Sequence, residues 1–335
     1  MRSAIIRNPA ALLVAVAAAA LPFFVPLAAR AGDGAGTGVA RISFLAGDVV
    51  VQRGDSAAPV AAALNAPLLG ADYLKTGDAS RAEIQFDGAS MVRLGPGVQM
   101  RFTHLDPGDR ALQLAQGTLE LRLLRTGGGS YVVDTPSVSV RAHQSGIYRI
   151  SVTSDGQTMV TVRSGEAEIV TPQDDRTLDP GSTLIATGAA SDPALQSSAA
   201  IAYDDFDRFN QDRDDRHERA LADAPSHVDR NLEGIDALDG YGRWVSDGSY
   251  GQVWAPYNVG SNWAPYRDGR WVWEDQFGWT WVAYEPWGWA PYHYGRWYRS
   301  AAYGWCWYPP QAAEFAPVWQ PGIVAFFTFG GGGIG

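Results

Sequence analysis

Three observations predict a mainly β fold. From about Arg41 to Thr187, apolar and polar residues alternate at a period of two. Gly- and Pro-containing dipeptides interrupt that alternation at short intervals. All 13 tryptophans fall after residue 240, and they recur on a fixed spacing. Period-two alternation marks half-buried strands, and the interruptions supply the positive φ or fixed proline φ of tight turns. The predicted architecture is an all-β domain, one short charged helix, and a small Trp-rich β-hairpin repeat domain.

The first segment, residues 1–31, reads as a signal peptide. Arg2 and Arg7 form a basic start, Ala10 to Leu27 an apolar stretch, and Ala29-Arg30-Ala31 a small-residue cleavage signal. The alternative is an uncleaved anchor. Against it, the stretch is broken by Pro22 and Pro26 and falls short of the ~20 residues that a spanning helix needs. The expected location is therefore periplasmic or secreted, with no stable membrane span after cleavage.

Residues 40–188 form the expected β domain. Leu119, Leu121 and Leu123 alternate with Glu120 and Arg122, and Val98, Met100 and Phe102 alternate with Gln99, Arg101 and Thr103. Val138, Val140 and Ala142 repeat the pattern, as do Val160 and Val162. Gly47-Asp48, Asp87-Gly88, Gly95-Pro96-Gly97, Asp106-Pro107-Gly108, Asp155-Gly156 and Pro180-Gly181 punctuate them as turns.

Residues 189–240 are read as a linker followed by an acidic charged helix. The stretch up to Ala200 is rich in Ala and Ser without periodicity. Asp204 to Leu221 then sets Asp204 against Arg208, Asp212 against Arg216 and Asp215 against Arg219, the four-residue spacing of a solvated helix. A calcium loop is the sharper alternative, because Asn210, Asp212 and Asp214 alternate. It fails where Asp215 replaces the turn glycine and Leu221 stands in place of the bidentate Glu.

Residues 241–320 form the aromatic repeat domain, with units 241–257, 268–284 and 294–310, and residues 321–335 an apolar, Gly-rich tail. In each unit a Gly-Arg-Trp string opens the copy, and a second Trp follows the first by ten residues: Trp244 and Trp254, Trp271 and Trp281, Trp297 and Trp307. Units of about 27 residues hold one or two hairpins and must bury their apolar face against one another. Aliphatic residues are sparse here, so some rings must serve as core. The rings also outnumber what a flat three-unit sheet covers, and exposed aromatic patches mark binding surfaces. Both readings stay open, and these six tryptophans are the candidate ligand-binding residues. The Trp-Ala-Pro-Tyr strings at Trp254, Trp263 and Trp289 fit strand ends blunted by proline.

No catalytic motif is present: the sequence lacks G-x-S-x-G, H-E-x-x-H, a phosphate-cradling G-x-x-x-x-G-K and paired cysteines for a metal. No catalytic residue, metal ligand or cofactor is predicted, and a site built from scattered carboxylates is the remaining enzymatic alternative. A Ser145/His143 pair is conceivable, with a surface histidine as the plainer reading. Cys306, the single cysteine, forbids an internal disulfide and reads as a small buried residue. Net charge is −10, and residues 191–240 supply most of it with 13 acids against 5 arginines. Neither flanking region carries the basic stripe that phosphate backbones demand, so nucleic acid is not an expected partner.

Leu69 to Thr187 resembles the FecR domain of bacterial exported proteins. DGASMVRLGPGVQMRF (Asp87 to Phe102), QGTLELRL (Gln116 to Leu123), YVVDTPSVSVRAHQSGIYRISV (Tyr131 to Val152), TVRSGEAEIV (Thr161 to Val170) and LDPGSTLIAT (Leu178 to Thr187) follow its order and spacing. From about Asp204 onward, the YGRW, GWTWV and WGWAPYHYGRW strings are similar to an uncharacterised aromatic-rich domain that follows such domains in proteobacterial proteins. The resemblance implies an exported β module, solenoid or sandwich-like, for binding or scaffolding in a Gram-negative envelope. The best known FecR proteins carry a cytoplasmic sigma-factor-binding segment. Only Met1 to Pro9 precede the apolar stretch here, so that role is not carried over. The expectation is a non-enzymatic protein whose aromatic repeats contact a cell-envelope glycan or an envelope protein. The alternative is a periplasmic signalling component that docks on a membrane receptor.

Overall fold

In the computed structural model, residues 38–54, 58–125, 129–226, 228–311 and 318–324 are described, all within one compact unit. The signal-peptide expectation for residues 1–31 and most of the expected tail lie outside them. Strands dominate, as the alternation predicts, and those up to Ala199 form two sheets that face each other.

In the first sheet the neighbours run, from one edge, Ala194–Ala199, Ser182–Thr187, Thr158–Ser164, Gly146–Val152, the second half of Asp109–Leu123, Ser90–Leu94, Arg81–Asp87 and Ala40–Ala46, with Pro67–Leu68 at the far edge. In the second they run Pro59–Ala61, Val49–Gln52, Tyr73–Thr76, Gln99–Asp106, the first half of Asp109–Leu123, Ser130–Asp134, Ser139–Ala142, Ala167–Val170 and Asp175–Leu178. The 15-residue strand Asp109–Leu123 belongs to both. It changes sheet at Gly117, where φ is +93° and a Cβ would lie 2.6 Å from Val98 Cα, so a side chain is excluded. Within these two sheets, only its pairing with Ser130–Asp134 is parallel.

The inward residues of both sheets make one apolar core. Leu119, Leu121, Leu123, Tyr148, Ile150, Val160 and Val162 enter it from the first sheet, and Met100, Phe102, Leu112, Leu114, Val133, Val140 and Ile169 from the second. This is a sandwich arrangement, the second of the two expected for the β domain.

Two expectations change. The Ala/Ser-rich stretch read as linker contains the strand Ala194–Ala199, which pairs along Ser182–Thr187. It is an edge strand with most residues exposed, so backbone hydrogen bonds hold it and no apolar alternation is needed to mark it. The helix Asp205–Asp223 forms, with Asp204 and Asp207 making a capping box. It is not solvated all round: Phe206, Asp207, Asn210, His217, Ala220 and Leu221 are buried. Asp204 and Asp207 reach Arg149 at 2.7 and 2.6 Å, Asp214 reaches Arg93 and Arg122 at 2.6 and 2.7 Å, and Arg213 holds Glu83. Arg216 and Arg219 each donate through Nε to the backbone carbonyl four residues earlier. The helix thus covers the outer, charged face of the first sheet, and the charges pair across the interface.

Candidate binding surface of the aromatic hairpins

Each repeat is one hairpin: Gly242–Asp247 with Gly251–Pro256, Gly269–Glu274 with Gly278–Ala283, and Arg296–Ser300 with Gly304–Tyr308. Every turn has three residues, and a glycine at φ of +73° to +76° (Gly251, Gly278, Gly304) restores the strand, the bulged geometry that suits a three-residue hairpin loop. The ten-residue spacing has a direct cause. Trp244 faces Trp254, Trp271 faces Trp281 and Trp297 faces Trp307 across their hairpins.

The hairpins do not make a flat three-unit sheet. The first and third join through Trp254 and Trp307 into a four-stranded sheet, and the second stands as a sheet of its own. All three turn their inner Trp pair into a shared core with Trp287, Trp289 and Tyr292, closed by Leu221 of the helix and by Val228, Leu232, Ile235 and Leu238 from the segment after it. The rings meet at tilted and edge-on angles, for example Trp271 on Trp281 at 5.2 Å and 61°, the geometry that ring quadrupoles favour.

Of the six tryptophans expected to bind a ligand, Trp254, Trp281 and Trp307 are at most 3% exposed, so in this structure their faces are covered by neighbouring rings. Trp244, Trp271 and Trp297 are half-buried at the margin of the same core. The tryptophans most open to solvent are a pair outside those six, Trp273 and Trp279, at 59% and 56%. They lie opposite each other one step nearer the turn, 5.6 Å apart and nearly perpendicular, with Trp273 Nε1 donating to Asp275 at 2.8 Å. Rings two apart on a strand do share a face. Depth along that face changes, because the hairpin tip projects beyond the core.

The signal that could have found this lies in comparing the copies. The inner cross-strand pair is Trp–Trp in all three. The outer pair is Ser246 with Gln252, Trp273 with Trp279, and Arg299 with Trp305. An invariant inner pair meets a common packing demand, and a divergent outer pair gives each tip its own surface.

Below the rings, Glu285 accepts from Tyr292 Oη at 3.0 Å and Trp263 Nε1 at 3.3 Å, and burial pushes its carboxyl pKa up. His293 lies between Trp289 and Trp319 and bonds through Nδ1 to the Gln320 carbonyl at 2.6 Å. Burial lowers its pKa to about 4, so the ring is neutral and Nδ1 carries the proton. Cys306 is fully buried, as expected, and burial raises its thiol pKa. His143 is exposed and sits 3.8 Å from Glu168. Among the described residues, no group of three or more His, Cys, Asp or Glu is placed to hold a metal ion.

The second hairpin and the segments flanking the hairpins meet the sandwich through polar contacts as well. Arg53 bridges Asp72 and Glu274 at 2.6 and 2.7 Å, Asn65 Nδ2 donates to the Glu285 carbonyl at 2.8 Å, and the Gly88 amide donates to the Asn231 carbonyl at 2.8 Å.

A two-sheet β module joined to Trp-rich hairpins defines the class of molecule, and sequence comparison gives its parts a family. Residues 72–168 match the FecR protein family, and residues 235–334 match a family of unknown function, DUF6600. The chain therefore carries a FecR segment followed by an uncharacterised aromatic-rich one. Two crystal structures of a candidate anti-sigma factor from Parabacteroides distasonis ATCC 8503 align at 18% and 19% identity, each with a TM-score of 0.34, covering 39% of this chain and 60% of theirs. No curated protein matches the chain.

Proposed function

We propose that this protein is an exported, non-catalytic binding component of the bacterial cell envelope, and that the Trp273–Trp279 tip is its contact surface for an envelope glycan. The observation supporting this is the exposure of two adjacent indoles, 59% and 56%, on a hairpin whose base is anchored in a ring-filled core. Solvent-exposed rings held rigidly cost little entropy on binding, and their electron-rich faces suit the C–H groups of a pyranose. In this reading Trp254, Trp281 and Trp307 hold the platform from below, and Trp244, Trp271 and Trp297 form its margin. The division into a signal peptide (1–31), FecR-like domain (40–188), linker and helix (189–240) and aromatic domain (241–320) belongs to the same proposal.

The test is co-sedimentation of the mature protein with purified peptidoglycan sacculi. Pelleting that disappears in a Trp273→Ala/Trp279→Ala double variant with an unchanged melting temperature supports the reading. Pelleting that survives the double change sinks it.

The FecR match favours a second reading, a periplasmic signalling component that docks on a membrane receptor. Among the described residues no helix is long and apolar enough to cross a membrane. Here the partner is a protein, and the FecR-like strands rather than the ring pair make the contact. Receptor capture that tolerates loss of both rings distinguishes it.

A further inference from the structure

The third hairpin tip borders a cleft of about 640 Å³ that no acidic residue lines. The connection between the first two hairpins forms the opposite wall. Arg299 and Trp305, the divergent outer pair, enter from the hairpin, with Tyr303 from its turn. Asn262, Trp263 and Arg267 enter from the connection. In a chain of net charge −10, a cleft holding two arginines and no carboxylate is a local reversal of sign.

Both guanidinium groups are available. Among the described residues, neither Arg267 nor Arg299 has a carboxylate within ion-pair distance, and both are exposed. Arg267 spends one N–H on the Asn262 carbonyl at 3.0 Å, which fixes the side chain and leaves the rest of its donor fork open. Arginines elsewhere in this protein are commonly paired, as in the interface of the helix with the first sheet. The aromatic wall is rigid. Trp263 bonds to Glu285 through Nε1 and packs edge-on against Trp297 at 5.5 Å, while Tyr303 is 39% exposed beside half-buried Trp305.

We infer that this cleft binds an acidic sugar, a pyranose bearing a carboxylate. Guanidinium forks match a carboxylate in shape and charge, and flat rings accept the apolar face of the sugar. A neutral saccharide leaves the two cations unmatched, and a small inorganic anion leaves the rings unused. The inference extends the glycan reading to a second surface, and it fails independently of the Trp273–Trp279 tip.

Titration calorimetry of the full mature chain tests it, with galacturonate, glucuronate and mannuronate trisaccharides, their methyl esters, and inorganic phosphate as probes. The expected result is binding of at least one uronate at least tenfold tighter than its ester and than phosphate. Arg299→Glu and Arg267→Glu each weaken it at least tenfold, and Trp273→Ala/Trp279→Ala leaves it unchanged. Esters or phosphate binding as tightly as the acids overturn the inference. So does a charge reversal without effect, or no heat from any uronate at millimolar concentration. The arginines are exposed, and an unchanged melting temperature in the variants separates lost binding from lost fold.

Discussion

Gly242 and Gly269 decide whether the inner rings can seat. A Cβ on Gly242 would lie 2.3 Å from the Trp254 indole, and one on Gly269 would lie 2.4 Å from that of Trp281. Gly295 in the third copy is held by φ of +62° and by the Tyr308 carbonyl, which a Cβ would meet at 2.2 Å. Gly269→Ala should therefore destabilise the protein by about 1–3 kcal/mol, the usual cost of overpacking. Gly248→Ala, whose Cβ would meet nothing within 4 Å, should stay within about 0.5 kcal/mol of wild type. Urea unfolding of the two variants checks the pair. Burial separates the tryptophans in the same way. Trp281→Ala should cost about 3–5 kcal/mol as a core truncation. Trp273→Ala gives up an exposed ring contact worth about 0.5–1.5 kcal/mol. Equal losses at the two sites would show that the tip belongs to the core after all. The Gly-Arg-Trp string was legible as a repeat, but its reason was not, because the ring that excludes a Cβ lies twelve residues onward in sequence.

At the scale of elements, the helix Asp205–Asp223 shows what charge spacing can mislead about. Its i,i+4 acid–arginine pattern reads as self-paired, yet Asp207, only 1% exposed at its side chain, is shared by Arg149 and Arg163 from the first sheet. Removing it leaves the buried Arg163 without a carboxylate and Arg149 with Asp204 alone. Asp207→Ala should cost about 3–5 kcal/mol, as for other broken buried pairs, and should raise amide exchange along the helix first. Asp205→Ala, an exposed partner of Arg208, should change stability by no more than about 1 kcal/mol. Exchange that stays slow in Asp207→Ala would mean the apolar contacts of Phe206, Ala220 and Leu221 suffice to hold the helix. The hairpins were more legible than the helix. Their cross-strand pairing is local, and a ten-residue recurrence around a three-residue turn admits few other registers.

Across the whole molecule, the helix interface couples stability to pH. Burial raises Glu120 to about 7, against a smaller opposing effect of Arg93. Burial opposes the charged His217 ring, but the Asp236 hydrogen bond and charge and the Gly88 carbonyl outweigh it, so its pKa is raised above 6.5. Glu83 and Arg41 add charge nearby. Groups raised on folding contribute stability that is full below their unfolded values and lost as pH rises through the folded ones. The Glu120 contribution thus fades between 4.5 and about 7, and that of His217 above 6.5. Asp236 and Glu83 run the other way. Burial works against their charged forms, yet His217 and Arg41 hold Asp236 at about 2, and Arg93 and Arg213 hold Glu83 well below the usual carboxylate range. Their contribution is present above 3.8 and 4.5 respectively and is lost as pH falls. Denaturation midpoints should accordingly peak in mild acid and decline on both sides. Glu120→Gln should flatten the decline from pH 4.5 to 7, and a wild-type midpoint still rising through neutrality would contradict the assignment.

By itself the sequence determined the mainly β character, the β segment that matches FecR, the hairpin repeat and the inner Trp pairs. Each is written in local periodicity: two along a strand, ten across a hairpin. Tertiary structure alone decided that Ala194–Ala199 is a strand, that the charged helix lies against a sheet, and that the first and third hairpins pair while the second stands apart. It also decided which rings are covered. A Trp at the base of a hairpin and one at its tip share the same alternation, and only their distance from the packed core distinguishes the buried Trp281 from the exposed Trp279.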